Sequence, residues 1–396
     1  MALRIYLLLV DLPHLPDRHV CVFQKEEMVV SGSLILTAGF GEGHNAAARS
    51  LAAALGAGAP DHPVAVHDVF AEAYGVRNEV VRRLYLTAIN RTPALWGVCF
   101  YLLDHTPLPQ WHMPVYQAAA RRLRYLLEEM KPEAVISVYP GCGHLLDYSC
   151  RDRLRRPFRS FTVITDSITI CTAWHTVRAD AFFVPNERSR RVLLDRGIPA
   201  SKVLAPGFPV PLEFENLAAE HAQMPNAGEP WKVLYMVNSA EHLAASVCEA
   251  LLGIEKVALT VAVGHNERLG HRLRRQAGDR NLEIVGWAPD MPRLMAGHHV
   301  LVGKAGGATV QECLAAGTPM IISQIVPGQE EGNATLILDA GAGFHAESPA
   351  EIRDQINALF AGDGNRWARA AEAARTLGTP GAARQIAHHV ITKSKP

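Results

Sequence analysis

Apolar positions in this chain fall into short runs separated by longer alanine-rich or amphipathic stretches. Leu34–Thr37, the end of a run from Val29, is bounded by glycines; Asn45–Leu55 has helical character, and Val64–Val69 predicts a second short strand. Glu79–Leu127 is helical in composition, broken near Thr92-Pro93 and again around Pro107–Pro114. Ala134–Val138, Phe161–Ile164 and Ala181–Val184 predict further strands with helices between them. A second alternation runs through Lys232–Val237, Ala258–Val263, Leu282–Val285, Val300–Val302 and Met320–Ile322. Residues 206–230, rich in Pro, Gly, Asn and Ala, separate the two. Strands alternating with helices imply an α/β protein with parallel, doubly wound sheets. The expected division is an N-terminal domain at 28–207, a linker at 208–230, a C-terminal domain at 231–375 and a last helical segment at 376–396 crossing back to the first domain.

At 396 residues the chain is long enough for two cores. Its 39 basic and 39 acidic residues cancel, so nothing suggests a nucleic-acid partner. Seven cysteines without a C-x-x-C pair fit a reducing cytoplasm and no cysteine zinc site. No apolar run approaches the ~20 residues of a membrane-spanning helix. Leu3–Val10 is apolar but runs into Asp11, Pro13 and Pro16 without a small-residue cleavage site. A nonessential extension ahead of Met28 is therefore expected rather than a signal peptide.

The chemistry concentrates in Gly303–Asn333, GKAGGATVQECLAAGTPMIISQIVPGQEEGN. A strand and a glycine turn run into a helix N-terminus with Glu312 in its first turn, and a second strand ends in a polar loop. Gly306 and Gly307 let the backbone approach a ligand, and the N–H groups from Ala308 and Thr309 onward face a phosphate. Glu312 is placed to accept from ribose hydroxyls, while Gln329, Glu330 and Asn333 are offered to a sugar. Lys304 can neutralise phosphate charge. This pattern reads as a nucleotide-sugar site.

These residues resemble the donor signature of monogalactosyldiacylglycerol synthases and bacterial diacylglycerol glucosyltransferases, with the lipid-linked N-acetylglucosaminyl transferase of peptidoglycan synthesis more distant. GFGEGH at Gly39–His44, Thr165–Trp174, GFPV at Gly207–Val210, GHNERL at Gly264–Leu269 and LEIVGWAPDMPRLM at Leu282–Met295 agree in order, so the likeness covers roughly residues 31 to 345. It implies a GT-B fold, two Rossmann-like domains facing across a cleft. It also implies a base role for His44, which would sit at a helix N-terminus whose dipole helps keep the ring neutral. Asp166 is expected to orient His44 or bind an acceptor hydroxyl. Asn238 and Ser239 stand where the family has a glycine-rich phosphate turn, and Trp287 and Ala288 where relatives hold uracil. Departures lie at Val237–Glu241, at Cys171, and at Pro211, where relatives often have arginine.

Between Arg77 and Tyr125, arginines including Arg82 and Arg83 interleave with Trp96, Tyr101 and other aromatics, a pattern suited to an anionic membrane surface. With Trp174 they are the expected acceptor and membrane contacts. The expected function is an inverting hexosyltransferase, peripheral on the cytoplasmic face of the membrane, moving galactose or glucose from UDP-galactose or UDP-glucose to diacylglycerol. No Asp-x-Asp motif is present, so neither a metal nor a cofactor is expected. A UDP-sugar 2-epimerase of the same architecture and a non-catalytic UDP-sugar-binding protein are the alternatives. The basic-aromatic stretch argues against the first, and the lost glycine turn and Pro211 suggest the second.

Overall fold

The computed structural model describes residues 32–91, 97, 101, 116–152, 155–226, 228–288 and 290–394. Met28 and Trp96 lie outside them. The first sheet holds β1 (Ser33–Thr37), β2 (Val64–Asp68), β3 (Ala134–Ser137), β4 (Arg159–Val163), β5 (Ala181–Phe183) and β6 (Val203–Leu204), in the order β2-β1-β3-β4-β5-β6. All pairings are parallel, with Ser33 opposite both Val64 and Ala134. Its helices are α1 (Glu42–Gly58), α2 (Val69–Tyr74), α3 (Val76–Arg91), α4 (Tyr116–Met130), α5 (Pro140–Ser149) and α6 (Glu187–Asp195).

The second sheet holds β7 (Trp231–Met236), β8 (Val257–Ala262), β9 (Leu282–Val285), β10 (Val300–Lys304), β11 (Met320–Gln324) and β12 (Gly343–His345), ordered β12-β11-β10-β7-β8-β9 and parallel throughout. Its helices are α7 (Glu241–Leu252), α8 (Glu267–Ala277), α9 (Met291–Ala296), α10 (Gly307–Ala315), α11 (Glu331–Asp339), α12 (Pro349–Phe360) and α13 (Asn365–Leu377). Strands such as β1 and β10 are almost wholly buried because helices cover both sheet faces, which is why they read as continuous apolar runs.

Each sheet reverses its strand order once, at β1/β3 and at β7/β10. Ligands of open parallel sheets bind beyond the carboxyl ends of the strands at such points. The two reversals face each other across one cleft. Strands β6 and β12, of two and three residues, are not among the strands expected from the sequence. The stretch at 208–230 is more than a tether: Phe208, Val210, Phe214 and Leu217 are buried against Leu234, Met295 and Leu314. The last helix, α14 (Ala382–Ser394), buries Ala383, Ile386, Ala387 and Val390 with Ile35, Leu51 and Phe161 of the first domain.

Candidate active site

The cleft has a volume of about 1310 Å³ and is lined by His44, Asp166, Asn238, Trp287, Ala288, Gly306, Gly307, Ala308, Thr309, Glu312, Gln329 and Glu330. Most of the residues expected from sequence therefore meet in one place, although they span nearly three hundred positions.

His44 sits in the first turn of α1, on the loop that follows β1. That loop is tied down by Asp68, whose Oδ2 accepts the Gly39 amide at 2.7 Å while its Oδ1 caps α2 through the Ala71 amide at 2.8 Å. At the neighbouring strand end, the Val138 carbonyl lies 3.0 Å from His44 Nδ1, and Thr165 Oγ1 lies 3.0 Å from the same atom. A carbonyl only accepts, so Nδ1 carries the proton and Nε2 keeps its lone pair. Tyr139 meets the ring edge-on at 5.1 Å between centroids. Burial lowers the His44 pKa to about 4, the Val138 bond opposing it in part. The ring is thus neutral as expected, but burial is the dominant cause, where the sequence suggested the helix dipole.

Asp166 does not orient this ring. Its Oδ2 accepts from the Trp174 indole N–H at 2.6 Å, and burial pushes its pKa up to about 6. Trp174 is completely buried, which removes it from the membrane and acceptor surface and makes it the anchor of Asp166. Orientation of His44 falls instead to Val138 and Thr165.

On the opposite wall, α10 begins at Gly307 after the extended cap Gly306 and presents its N-terminus to the cleft. Glycine lets the opposing domain come close at Gly307, where a methyl would stand 3.0 Å from the Thr165 carbonyl; at Gly43 a methyl would make only ordinary contact, 3.7 Å from the Ala308 Cβ. Glu312 lies beyond the first turn, contrary to expectation, but it does line the cleft. Burial pushes its pKa up to about 7, opposed by the charge of Arg49 across the cleft.

The profile described as monogalactosyldiacylglycerol (MGDG) synthase matches residues 44–210, and that of the glycosyltransferase family 28 C-terminal domain matches residues 231–378. The chain is similar to the processive diacylglycerol beta-glucosyltransferase of Bacillus subtilis (strain 168), 27% identical over 340 residues that cover 83% of this chain and 86% of that protein. The two profiles fall one on each domain, and the chain resembles MGDG synthases and diacylglycerol glucosyltransferases along most of its length. Among solved structures, Acinetobacter baumannii MurG superposes with a TM-score of 0.60 at 15% identity, covering 91% of this chain and 99% of that one. A putative UDP-N-acetylglucosamine 2-epimerase from Listeria monocytogenes gives 0.59 at 12%, covering 93% and 97%. Both likenesses are of fold alone, the two-domain GT-B architecture.

The sugar-side loop departs from the sequence reading. Asn333 is buried and outside the cleft lining; its Oδ1 accepts the Ser167 amide at 3.3 Å and its Nδ2 donates to the Ala305 carbonyl at 3.1 Å. It joins the two domains. Glu330 is buried with both oxygens engaged, Oε1 2.7 Å from Lys304 Nζ and Oε2 accepting the Val326 amide at 2.9 Å. Gln329 does face the cleft, and its Oε1 accepts from the Tyr85 hydroxyl at 3.4 Å, a contact from α3 with no signal in the chain. Asn238 lines the cleft with its Oδ1 buried and unpartnered, whereas Ser239 lies outside the lining with its hydroxyl 3.3 Å from that of Tyr235. Trp287 is no core residue: it is 59% exposed and stacks on His265 at 4.7 Å.

Arg82 and Arg83 both bind Glu79, at 2.7 and 2.6 Å, so their charge is partly spent within α3. Tyr101 is exposed. Val76, Val80 and Leu84, spaced four apart on α3, form an exposed apolar stripe beside them.

Proposed function

We propose that this protein is an inverting, membrane-associated hexosyltransferase that moves a sugar from a UDP-hexose to the free hydroxyl of diacylglycerol. The observation that carries the reading is the neutral His44, its Nε2 unprotonated, in a cleft whose other wall is the N-terminus of α10. The acceptor hydroxyl gives its proton to Nε2 as its oxygen attacks the anomeric carbon, and UDP leaves on the opposite side. N–H groups at the start of α10 meet the charge that develops on the diphosphate. Glu312 holds the ribose, and Gln329 with Tyr85 borders the sugar. No step is assigned to a divalent ion, so turnover is expected to persist in EDTA.

The name of the Bacillus subtilis relative favours glucose, and the family profile's name favours galactose. Among the described residues no helix is long and apolar enough to cross a membrane. We assign contact with an anionic bilayer to the outer face of α3, where Val76, Val80 and Leu84 lie beside Arg83. Basic residues near such a surface each contribute about 1 kcal/mol. The test is incubation of the purified protein with labelled UDP-glucose or UDP-galactose and diacylglycerol vesicles. Label in the lipid phase is the expected result; an isomerised nucleotide sugar, or binding without turnover, would overturn the reading.

A further inference from the structure

The loop that leads to His44 holds glycines at 39, 41 and 43 and a single bulky apolar residue, Phe40. A tight turn of this kind needs no phenyl ring for its backbone. Nor does the core consume that ring: Phe40 is half-buried, packed against the apolar cluster of the first domain, and it also lines the cleft. It stacks on Tyr139 with 5.9 Å between centroids and 18° between planes, and Tyr85 of α3 meets it edge-on at 5.7 Å. Tyr139 is the ring that meets His44 edge-on, and Trp174 lies 6.0 Å from the same imidazole. The base thus works beside a wall of aromatic rings.

That wall continues outward along α3. Leu86, next to Tyr85, also lines the cleft, and the same helix carries the exposed Val76, Val80 and Leu84. One helix therefore joins the stripe assigned to the bilayer with the rings beside the base. Through the Tyr85 hydroxyl and Gln329 the wall reaches the loop that borders the sugar. Burial holds the Tyr85 and Tyr139 phenols above their ordinary value, so neither brings a charge next to His44. The chemistry needs such a wall. A base that takes a proton from a glycerol hydroxyl takes one from water as readily. Water would then bond to the anomeric carbon and give its proton to Nε2, while the bond from that carbon to the β-phosphate oxygen breaks. The products would be free hexose and UDP. Only the surroundings of Nε2 tell the two nucleophiles apart.

We propose that Phe40, with Tyr85 and Leu86 completing the wall, is the acceptor-selecting residue of this site: it seats the glycerol end of the lipid against His44 and keeps water from Nε2. Phe40 thereby sets the partition between transfer and hydrolysis. The inference rests on the transferase reading and adds to it the residue that decides which hydroxyl reaches the base.

Labelled UDP-glucose or UDP-galactose, whichever the wild type turns over, is incubated with diacylglycerol vesicles, and lipid-linked and free hexose are both counted. Wild-type protein that forms neither product would refute the transferase reading itself. With transfer intact, Phe40→Ala is expected to raise the ratio of free to lipid-linked hexose about tenfold or more, the scale on which an apolar pocket discriminates. The KM for diacylglycerol should rise and that for the UDP-hexose stay unchanged. The ratio does not depend on how much protein is active, so a loss of both products in equal measure would overturn the proposal and leave Phe40 as packing for the His44 loop. If Phe40→Ala does not fold, Leu86→Gln decides on the same wall: a raised ratio supports the proposal, and an unchanged one ends it.

Discussion

Asn333 and Ser167, 166 residues apart, are joined across the two domains by a buried hydrogen bond of 3.3 Å. Gln311 donates to the Ser167 hydroxyl at 3.2 Å, and the Gly332 amide donates to Thr169 Oγ1 at 3.0 Å, so three bonds tie one turn of the first domain to the second. Contact is close: a methyl on Gly332 would fall 1.9 Å from the Ser167 carbonyl. Between them Ile168 has φ +61°, a conformation a β-branched residue rarely adopts and one that the contacts around it must stabilise.

Asn333→Ala should therefore act on the domain junction before it acts on the sugar. It strands the Ser167 amide and the Ala305 carbonyl, each at a cost of about 1–3 kcal/mol when buried. The expected result is a lower melting temperature and a larger radius of gyration by small-angle scattering. An unchanged melting temperature with a raised KM for the donor would return Asn333 to the sugar site.

The misreading of Asn333 shows where sequence inference stops. A polar residue at the end of a Pro-Gly loop looks like a ligand group when its partner is far away in the chain, and only the fold brings Ser167 to it. Trp174 misleads in the same way, because an aromatic in a polar segment gives no sign that Asp166 will cover its N–H. His44 was legible: a glycine loop between a strand and a helix fixes both its place and its direction. What the loop does not reveal is the carbonyl of Val138, which belongs to the neighbouring strand and sets the tautomer. The alternation of short strands and helices exposed both sheets; β6 and β12 were missed, whereas the equally short β5 was read because Ala181–Val184 is a continuous apolar run and Gly343–His345 is not.

His44→Ala is expected to lower transfer by about 10²- to 10⁴-fold while UDP affinity stays nearly intact, since the base serves the acceptor. Burial holds the wild-type ring neutral until the pH approaches about 4, so the acid limb of kcat/KM should lie well below 6.5, the ordinary value for histidine. A loss of less than about tenfold would be too small for a general base and would assign His44 to structure.

Glu312 sets stability against binding. Its pKa in the folded protein is raised to about 7 from an ordinary 4.5, so whatever stability the neutral carboxyl confers is complete below pH 4.5 and disappears as the pH rises through 7. Glu312→Gln should then unfold at higher temperature than wild type at pH 8, by about 1–3 kcal/mol of stability, with the gap closing at pH 4. The same change should weaken UDP about ten- to a hundredfold through the ribose contact. Unaltered UDP affinity by calorimetry, in a variant that gains stability as described, would remove Glu312 from the nucleotide site and leave it a buried acid of the cleft wall.

The membrane reading of α3 separates into an apolar and an electrostatic part. Val76 is 78% exposed and Leu84 48%, so the stripe offers apolar contact that salt does not screen. Arg83 is exposed beside it, though shared with Glu79, and Arg121 and Arg124 on α4 have no recorded ion-pair partner among the described residues. Exposed charges are screened over about 10 Å at 0.1 M salt, so binding to anionic vesicles should weaken as salt rises. Replacing Val76, Val80 and Leu84 with serine should reduce sedimentation with vesicles at every salt concentration. Replacing Arg82, Arg83, Arg121 and Arg124 with glutamate should abolish the preference for anionic lipid. Both variants should still transfer sugar to a short-chain acceptor in detergent, because the chemistry belongs to the cleft. Equal binding to neutral and anionic vesicles by the wild type, or loss of the detergent activity in both variants, would show that α3 serves the fold or the acceptor pocket and that the bilayer is met elsewhere.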